Sequence, residues 1–487
     1  MDERKKCVYC VMETHRVFDG MLKDSRLRNR MSLLLNRMIQ RNSSVINKSC
    51  DNMVEKIGAY RLINNPSWDA ERSVRCLGED CGRRIPEGRH VLCVQDTTEF
   101  NYIRKRERLS ADDPDLGPLS KEKAGLGFFL HPCLVIDAED HSPYGFSSVR
   151  IWNRSKEKGS KRSRKYQELP LEEKESYRWY ETVRQTRQAL PENVRKTFIG
   201  DRENDIYEVL SRIQAGGDDY LIRSVANRLT EEGKRLEELM ESLPVSRVYE
   251  LEIKGRHGRK ARTARMELRF SRVTVHKPVN SKADVPEKLD CYCLSAREQA
   301  DSVPEGEEPI DWRILTSHEV TTACQALRCV GWYKCRWLIE ELFRVQKSKG
   351  MGLEDAQLES GSGLKKLAVL SLYSSYRIML LKSAYDECLE DFQANMLFTE
   401  KEIALFTILL RMIYKKSTKS TKLRNPFKER TLPWCGWILA RLAGWSGYES
   451  AHGRPGHITI RNGLEDFYQK FSLFEFWTDM NLDVYKE

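Results

Sequence analysis

The chain has 487 residues, 82 of them basic and 72 acidic, with a formal net charge of +10. A hydrophobic content of 40% and 10 tryptophans support a sizeable core and exclude a mainly disordered chain, and the length suggests about three domains. The most apolar stretch, Leu367 to Leu381, is broken by Ser374, Ser375 and Arg377 and is too short to span a bilayer.

The charged start MDERKKC lacks an apolar export segment, so a cytoplasmic protein with reduced thiols is expected. Residues 1–85 read as mainly helical. Leu27, Met31, Leu34, Leu35 and Met38 recur at helical spacing beside Arg26, Arg28, Arg30, Arg37 and Arg41, and GAYRLINNP (Gly58 to Pro66) ends in a turn. This basic stripe suits a small DNA-binding module or, equally, a solvated helix face. Cys7-x2-Cys10 and Cys76-x4-Cys81 raise the question of a zinc site, with His15 as a further ligand. The second spacing does not favour zinc.

From about residue 88 the period changes. VLCVQD (Val91 to Asp96), GFFLHPCLVID (Gly127 to Asp137) and GFSSVRIWN (Gly145 to Asn153) predict three strands. A helix over Leu171–Ala189, a strand at TFIGD (Thr197 to Asp201), a helix over Ile206–Ile213 and a strand at Tyr220–Val225 follow. This order predicts an α/β core with a mixed sheet. The run Arg154–Lys165 is a basic loop. Residues 245–320 look all-β, and one hairpin there carries Lys254, Arg256, Arg259, Lys260, Arg262 and Arg265. From Thr322 the chain is helical, and residues 365–487 hold a second basic loop, Lys415–Arg430.

Among the predicted strands that end in aspartate, two supply Asp96 and Asp201. Each suits a turn or helix cap, or the pair shares divalent metal at neighbouring strand ends. A third carboxylate comes from a helix predicted over Gly331–Lys349. At about 100° per residue, Tyr333, Arg336, Glu340 and Lys347 fall in one stripe roughly 60° wide, and Glu341 faces away.

Tyr333-x2-Arg336-x3-Glu340-x6-Lys347 resembles the YREK signature of the insertion-sequence-four family of DDE transposases. VLCVQDTTEFNY (Val91 to Tyr102) and GDRENDIYEVL (Gly200 to Leu210) are similar to that family's first two catalytic blocks. GAYRLINNP, DWRILTS (Asp311 to Ser317), LPWCGWILARLAGW and GRPGHITIRNGLEDF extend the resemblance along nearly the whole chain. The resemblance implies a ribonuclease-H-like catalytic core over 86–364 with an all-β insertion at about 245–320. Helical N-terminal DNA-binding (1–85) and C-terminal dimerisation (365–487) domains would flank it.

It further implies that Asp96, Asp201 and Glu340 are catalytic and hold two Mg2+ ions, with Mn2+ tolerated. Tyr333, Arg336, Lys347 and Arg202 would contact DNA, and Trp312 would stack on a displaced base. The expected activity is cut-and-paste transposition by end cleavage, hairpin formation and strand transfer. The partners would be double-stranded DNA with terminal inverted repeats, target DNA and a second copy of the chain in a homodimer, in a nucleoid-associated cytoplasmic setting without a membrane. Trp434, Trp437, Leu439 and Leu442 are the expected dimer surface, or else local core. A non-catalytic DNA-binding regulator and a stand-alone nuclease are the competing readings.

Overall fold

The computed structural model describes residues 17–110, 112–119, 125–155, 169–253, 262–347, 350–416 and 423–479. Cys7, Cys10, His15, most of the Arg154–Lys165 loop, the Lys254–Lys260 part of the basic hairpin and residues 417–422 of the second basic loop lie outside them.

The chain opens with α1 (Ser25–Arg41), α2 (Ile46–Ser49), α3 (Met53–Ile63) and α4 (Ala70–Arg84). α1 begins where Asp24 accepts the Arg26 N–H and stops at Asn42, whose φ of 45° is left-handed. Its buried face is Leu27, Met31, Leu34, Leu35, Met38 and Ile39. Asn52 and Asp69 cap α3 and α4 in the same way.

The sheet region follows: β1 (His90–Gln95), β2 (Thr98–Asn101), β3 (Gly117–Pro118), β4 (Leu126–Asp137), β5 (Pro143–Trp152), α5 (Tyr177–Ala189), β6 (Arg195–Gly200), α6 (Tyr207–Ala215) and β7 (Asp219–Arg223). Then come α7 (Leu236–Ser242), β8 (Arg247–Ile253), β9 (Arg262–His276), β10 (Lys288–Glu298) and β11 (Asp311–Thr316). The rest is helical: α8 (Ala323–Lys334), α9 (Trp337–Gln346), α10 (Gly361–Asp386), α11 (Glu400–Lys416), α12 (Leu432–Leu442), α13 (Glu449–His452) and α14 (His457–Asp479).

The strands form one mixed sheet. β5, β4 and β1 are antiparallel neighbours, and β1, β6 and β7 are parallel. The later strands extend this sheet in the order β11, β10, β9, β8, all antiparallel, with β11 joined to β7 through Leu315 and Ile222. The all-β segment is thus continuous with the core sheet. Within it, Arg262 pairs with Glu298 and Arg265 with Asp301, so these two hairpin arginines are engaged by carboxylates.

β1 shows how the sheet is covered. Leu92 and Val94 enter one apolar cluster and Val91 and Cys93 the other, and all four are buried. Trp179, Val183, Leu210, Ile213 and Leu236 from α5, α6 and α7 cover the second face. The N-terminal and C-terminal helices share the first cluster.

α10 is the axis of that layer. It is buried on all sides over nearly its whole length, as expected of a helix without a continuous polar face. Lys366 donates to the Ile63 and Asn65 carbonyls at 3.0 and 2.9 Å, and so ties α10 to the end of α3. The expected dimer surface on α12 is corrected here. Trp434, Trp437 and Leu439 are buried and Leu442 packs against the same core, because α12 lies between α10 and α14. Among the described residues no helix is long and apolar enough to cross a membrane.

The turn between β4 and β5 is held by His141, at a φ of 54°. Hydrogen bonds with Cys335, and then with Glu387 on the end of α10, push its pKa up to about 10 from the ordinary 6.5. The stabilisation is therefore full below pH 6.5 and is lost as pH rises through 10. His141→Asn, which tolerates the left-handed backbone, is expected to melt below wild type at pH 6. That gap should close by pH 10 in a calorimetric pH series.

Candidate active site

β1 and β6 run parallel with Val94 opposite Ile199. Two positions further, the same register sets Asp96 beside Asp201 at the carboxyl ends of both strands, where open α/β sheets present polar groups to ligands. One neighbour across the sheet and one local residue explain why the strands stop there. β1 and β2 follow one register along β4, with Gln95 opposite Cys133 and Thr98 opposite Leu130. Continued through the gap, that register places Asp96 opposite Pro132, which has no N–H for the ladder. At the end of β6, Gly200 lets the turn Arg202–Asn204 fold back closely. A Cβ on Gly200 would lie 2.6 Å from Asn204 Nδ2.

Each carboxylate accepts a nearby amide. Asp96 Oδ1 takes the Thr97 N–H at 2.7 Å, and Asp201 Oδ1 takes the Glu203 N–H at 2.9 Å. Asp205 braces the second turn. It accepts the Val225 and Ala226 N–H groups, both at 2.7 Å, and pairs with Arg228 at 2.5 Å.

The predicted single helix over Gly331–Lys349 is corrected. It is two helices, α8 and α9, meeting at Cys335 and Arg336. There the Cys335 N–H donates to Trp332 O and the Arg336 N–H to Tyr333 O, while the Cys335 thiol donates to Gly331 O. A side chain competing for the carbonyl four residues back tightens the turn. Lys347 is the extended residue after α9 and not part of a helix face.

Three of the four signature residues nonetheless converge. Arg336 Nη2 donates to Glu340 Oε1 at 2.6 Å, Arg336 Nη1 lies 3.4 Å from Asp96 Oδ2, and Tyr333 shares the field of Arg336. Lys347 stands 5.7 Å from the Phe100 ring centre, on β2. Glu341 turns the other way and meets His457 at 3.1 Å.

Trp312 is not an open plate. It is 6% exposed and packs edge-on against Tyr333 and Trp337, with ring centres 5.6 and 5.8 Å apart. Arg202 is exposed in the turn after Asp201. Arg178 on α5 was not singled out in the sequence, yet it reaches both strand-end turns, through Thr97 and Glu203. Nothing in the pattern of α5 marks it, because it lies on a helix face that also packs the core.

The electrostatics are those of crowded negative charge. Burial, then Asp201, push the Asp96 pKa up to about 7, and Glu340 adds to the effect. The donors suit a hard divalent cation: they are carboxylate oxygens, without thiol or imidazole. As arranged here, however, the described residues hold no group of three acidic, histidine or cysteine side chains close enough for one ion. The Arg336 guanidinium bonds both Asp96 and Glu340. Cys76 and Cys81, five apart on α4, are about 140° apart around the helix and enter different clusters, so they do not converge.

The basic stripe on α1 is partly spent. Arg28 donates to the Leu22 and Lys23 carbonyls, Arg37 pairs with Asp51 and Glu55, and Arg41 pairs with Asp51. Arg26 is exposed. Residues 14–68, which take in α1, α2 and α3, match a family model described as transposase DNA-binding. A solved cryo-EM structure of a piggyBac transposase synaptic complex with hairpin DNA aligns over 76% of this chain and 73% of its own. At 9% identity and a TM-score of 0.37 that likeness carries no argument.

Crowding makes a prediction. In chelator at pH 8, Asp96→Asn removes a half-buried charge facing two other carboxylates and should melt above wild type. For a chain of 487 residues the expected gain is about 1 °C for each kcal/mol of relieved repulsion. At pH 5, where the raised carboxyl is protonated in the folded chain, that gain should shrink. Differential scanning fluorimetry reads both conditions.

Proposed function

We propose that this chain is a metal-dependent DNA transposase of the insertion-sequence-four type, built on a ribonuclease-H-like core. The observation that carries the reading is the register that sets Asp96 beside Asp201, with Glu340 joined to Asp96 through Arg336. The order β5–β4–β1–β6–β7, with its antiparallel and parallel halves, supports the fold. The match over residues 14–68 supports DNA binding by the N-terminal helices.

Asp96, Asp201 and Glu340 would hold Mg2+, which supplies activation of a water or 3′-hydroxyl and stabilisation of the leaving oxygen when bound. The chain's own residues supply the rest. Arg202 and Lys347 would hold backbone phosphates near the strand ends, and Tyr333, which is buried, would join them only once its contact with Trp312 parts. Arg336 now neutralises Asp96 and Glu340, and a DNA phosphate would compete for the same guanidinium. Exchange of Arg336 from carboxylate to phosphate would strengthen the hold of both carboxylates on a cation as DNA enters. For Trp312 to stack on a base, its contacts with Tyr333 and Trp337 would first have to part. Two copies would be needed to pair two DNA ends and join them to target.

The Arg336 pairing, and the lack of a ready three-carboxylate group among the described residues, favour one alternative: a DNA-binding regulator that does not cut. One experiment separates the two. Purified protein is incubated with the inverted repeats bordering its own coding sequence and Mg2+, beside Asp201→Ala and Glu340→Ala. The proposal expects hairpinned and joined ends from wild type. Both variants should fall to below about one-thousandth of its rate while still shifting the DNA in a gel. Binding without cleavage by all three proteins would establish the regulator.

A further inference from the structure

Arg178 is buried between the two strand ends, with the rings of Trp152 and Trp179 beside its guanidinium. It uses three edges of that group. Nε donates to Thr97 Oγ1 at 2.9 Å, Nη2 meets Glu203 Oε2 at 2.5 Å, and Nη1 donates to the Glu175 carbonyl at 3.0 Å. Thr97 and Glu203 are also the residues whose backbone N–H groups hold Asp96 and Asp201. One side chain therefore grips the residues that own both amides, across two separate turns.

The anchor behind Thr97 has a defined direction. Thr97 Oγ1 accepts from Arg178, so its own proton goes to His131 Nδ1 at 2.9 Å. That leaves the His131 Nε2–H facing Gln95 Oε1 at 3.3 Å. Burial, and then Arg178, keep His131 neutral, the form in which Nδ1 accepts. The network thus runs from α5 through Thr97, between β1 and β2, and through β4 to the end of β1.

We propose that Arg178 is a positioning residue that sets the spacing and aim of Asp96 and Asp201 by holding Thr97 and Glu203, touching neither metal nor DNA. This rests on the reading of those two aspartates given above. Arginine is suited to the task because its planar fork spans two acceptors in fixed directions, whereas lysine is a single point charge. Groups that orient metal-ligating side chains typically change metal affinity by about 10–100-fold when lost.

The test uses the full chain without DNA and reads Mn2+ affinity by electron paramagnetic resonance, with melting temperature alongside. Glu203 is the cleaner arm, since its side chain is 65% exposed and its loss leaves the core intact. Glu203→Ala should weaken Mn2+ by about tenfold at unchanged melting temperature. Glu203→Gln, which keeps an acceptor for Arg178 but no charge, should restore most of that affinity. Arg178→Lys should bind Mn2+ as weakly as Glu203→Ala. End cleavage by these variants should recover with added Mn2+. Wild-type Mn2+ affinity in Glu203→Ala and Arg178→Lys would overturn the proposal, and so would a Glu203→Gln variant as weak as Glu203→Ala. A wild-type protein that binds no Mn2+ would overturn the reading of the aspartates as well.

Discussion

The parallel pairing of β1 with β6 is the constraint on which the candidate site depends. Parallel strands put both carboxyl ends at one edge of the sheet, and the register from Val94 and Ile199 brings Asp96 and Asp201 level there. A shift of one residue in that register would turn one aspartate into the opposite face of the sheet. The register is secured by burial on both faces, since Leu92 and Val94 pack one way and Val91 and Cys93 the other. The two strand ends are thus positioned by ordinary core packing along the strands that lead to them.

Charge is the second constraint. Three carboxylates brought near one edge of the sheet repel one another unless a cation lies among them. In this structure the cation is Arg336, bonded to Asp96 and Glu340. The tightened junction between α8 and α9 brings Arg336 there, because Cys335 and Arg336 bond carbonyls three residues back. The kink that breaks the regular helix is therefore also what aims the signature arginine at the strand ends. Arg178 provides the complementary control from the other side of the sheet, acting on the turns and not on the carboxylates themselves.

Much of this was legible in the sequence, and the failures have physical causes. β1, β4, β5, β6 and β7 fall where clusters of β-branched and aromatic residues between turns predicted them. β2 escaped notice because it is only Thr98–Asn101 and continues β1 beyond a break that Pro132, far along the chain, imposes. The helical wheel grouped Tyr333, Arg336 and Glu340 correctly in space but assumed uniform winding, which the Cys335 thiol disrupts, and so it carried Lys347 too far. Trp434 and Trp437 looked like a partner surface because an apolar helix near a chain end has no visible cover in one dimension. The cover is α10 and α14. Arg178 carried no signal, since a polar side chain buried by tertiary contacts looks like any surface arginine in a list of residues.

The central claim is that Asp96, Asp201 and Glu340 hold one divalent-cation centre. Its most direct test is to bind Fe2+ to the full chain, generate hydroxyl radicals at the ion with ascorbate and peroxide, and map the backbone cuts by mass spectrometry. The account predicts cuts clustered beside all three residues, suppressed by excess Mg2+ and absent in Asp201→Ala. Cuts confined to another part of the chain, or a pattern that Asp201→Ala leaves unchanged, would contradict it.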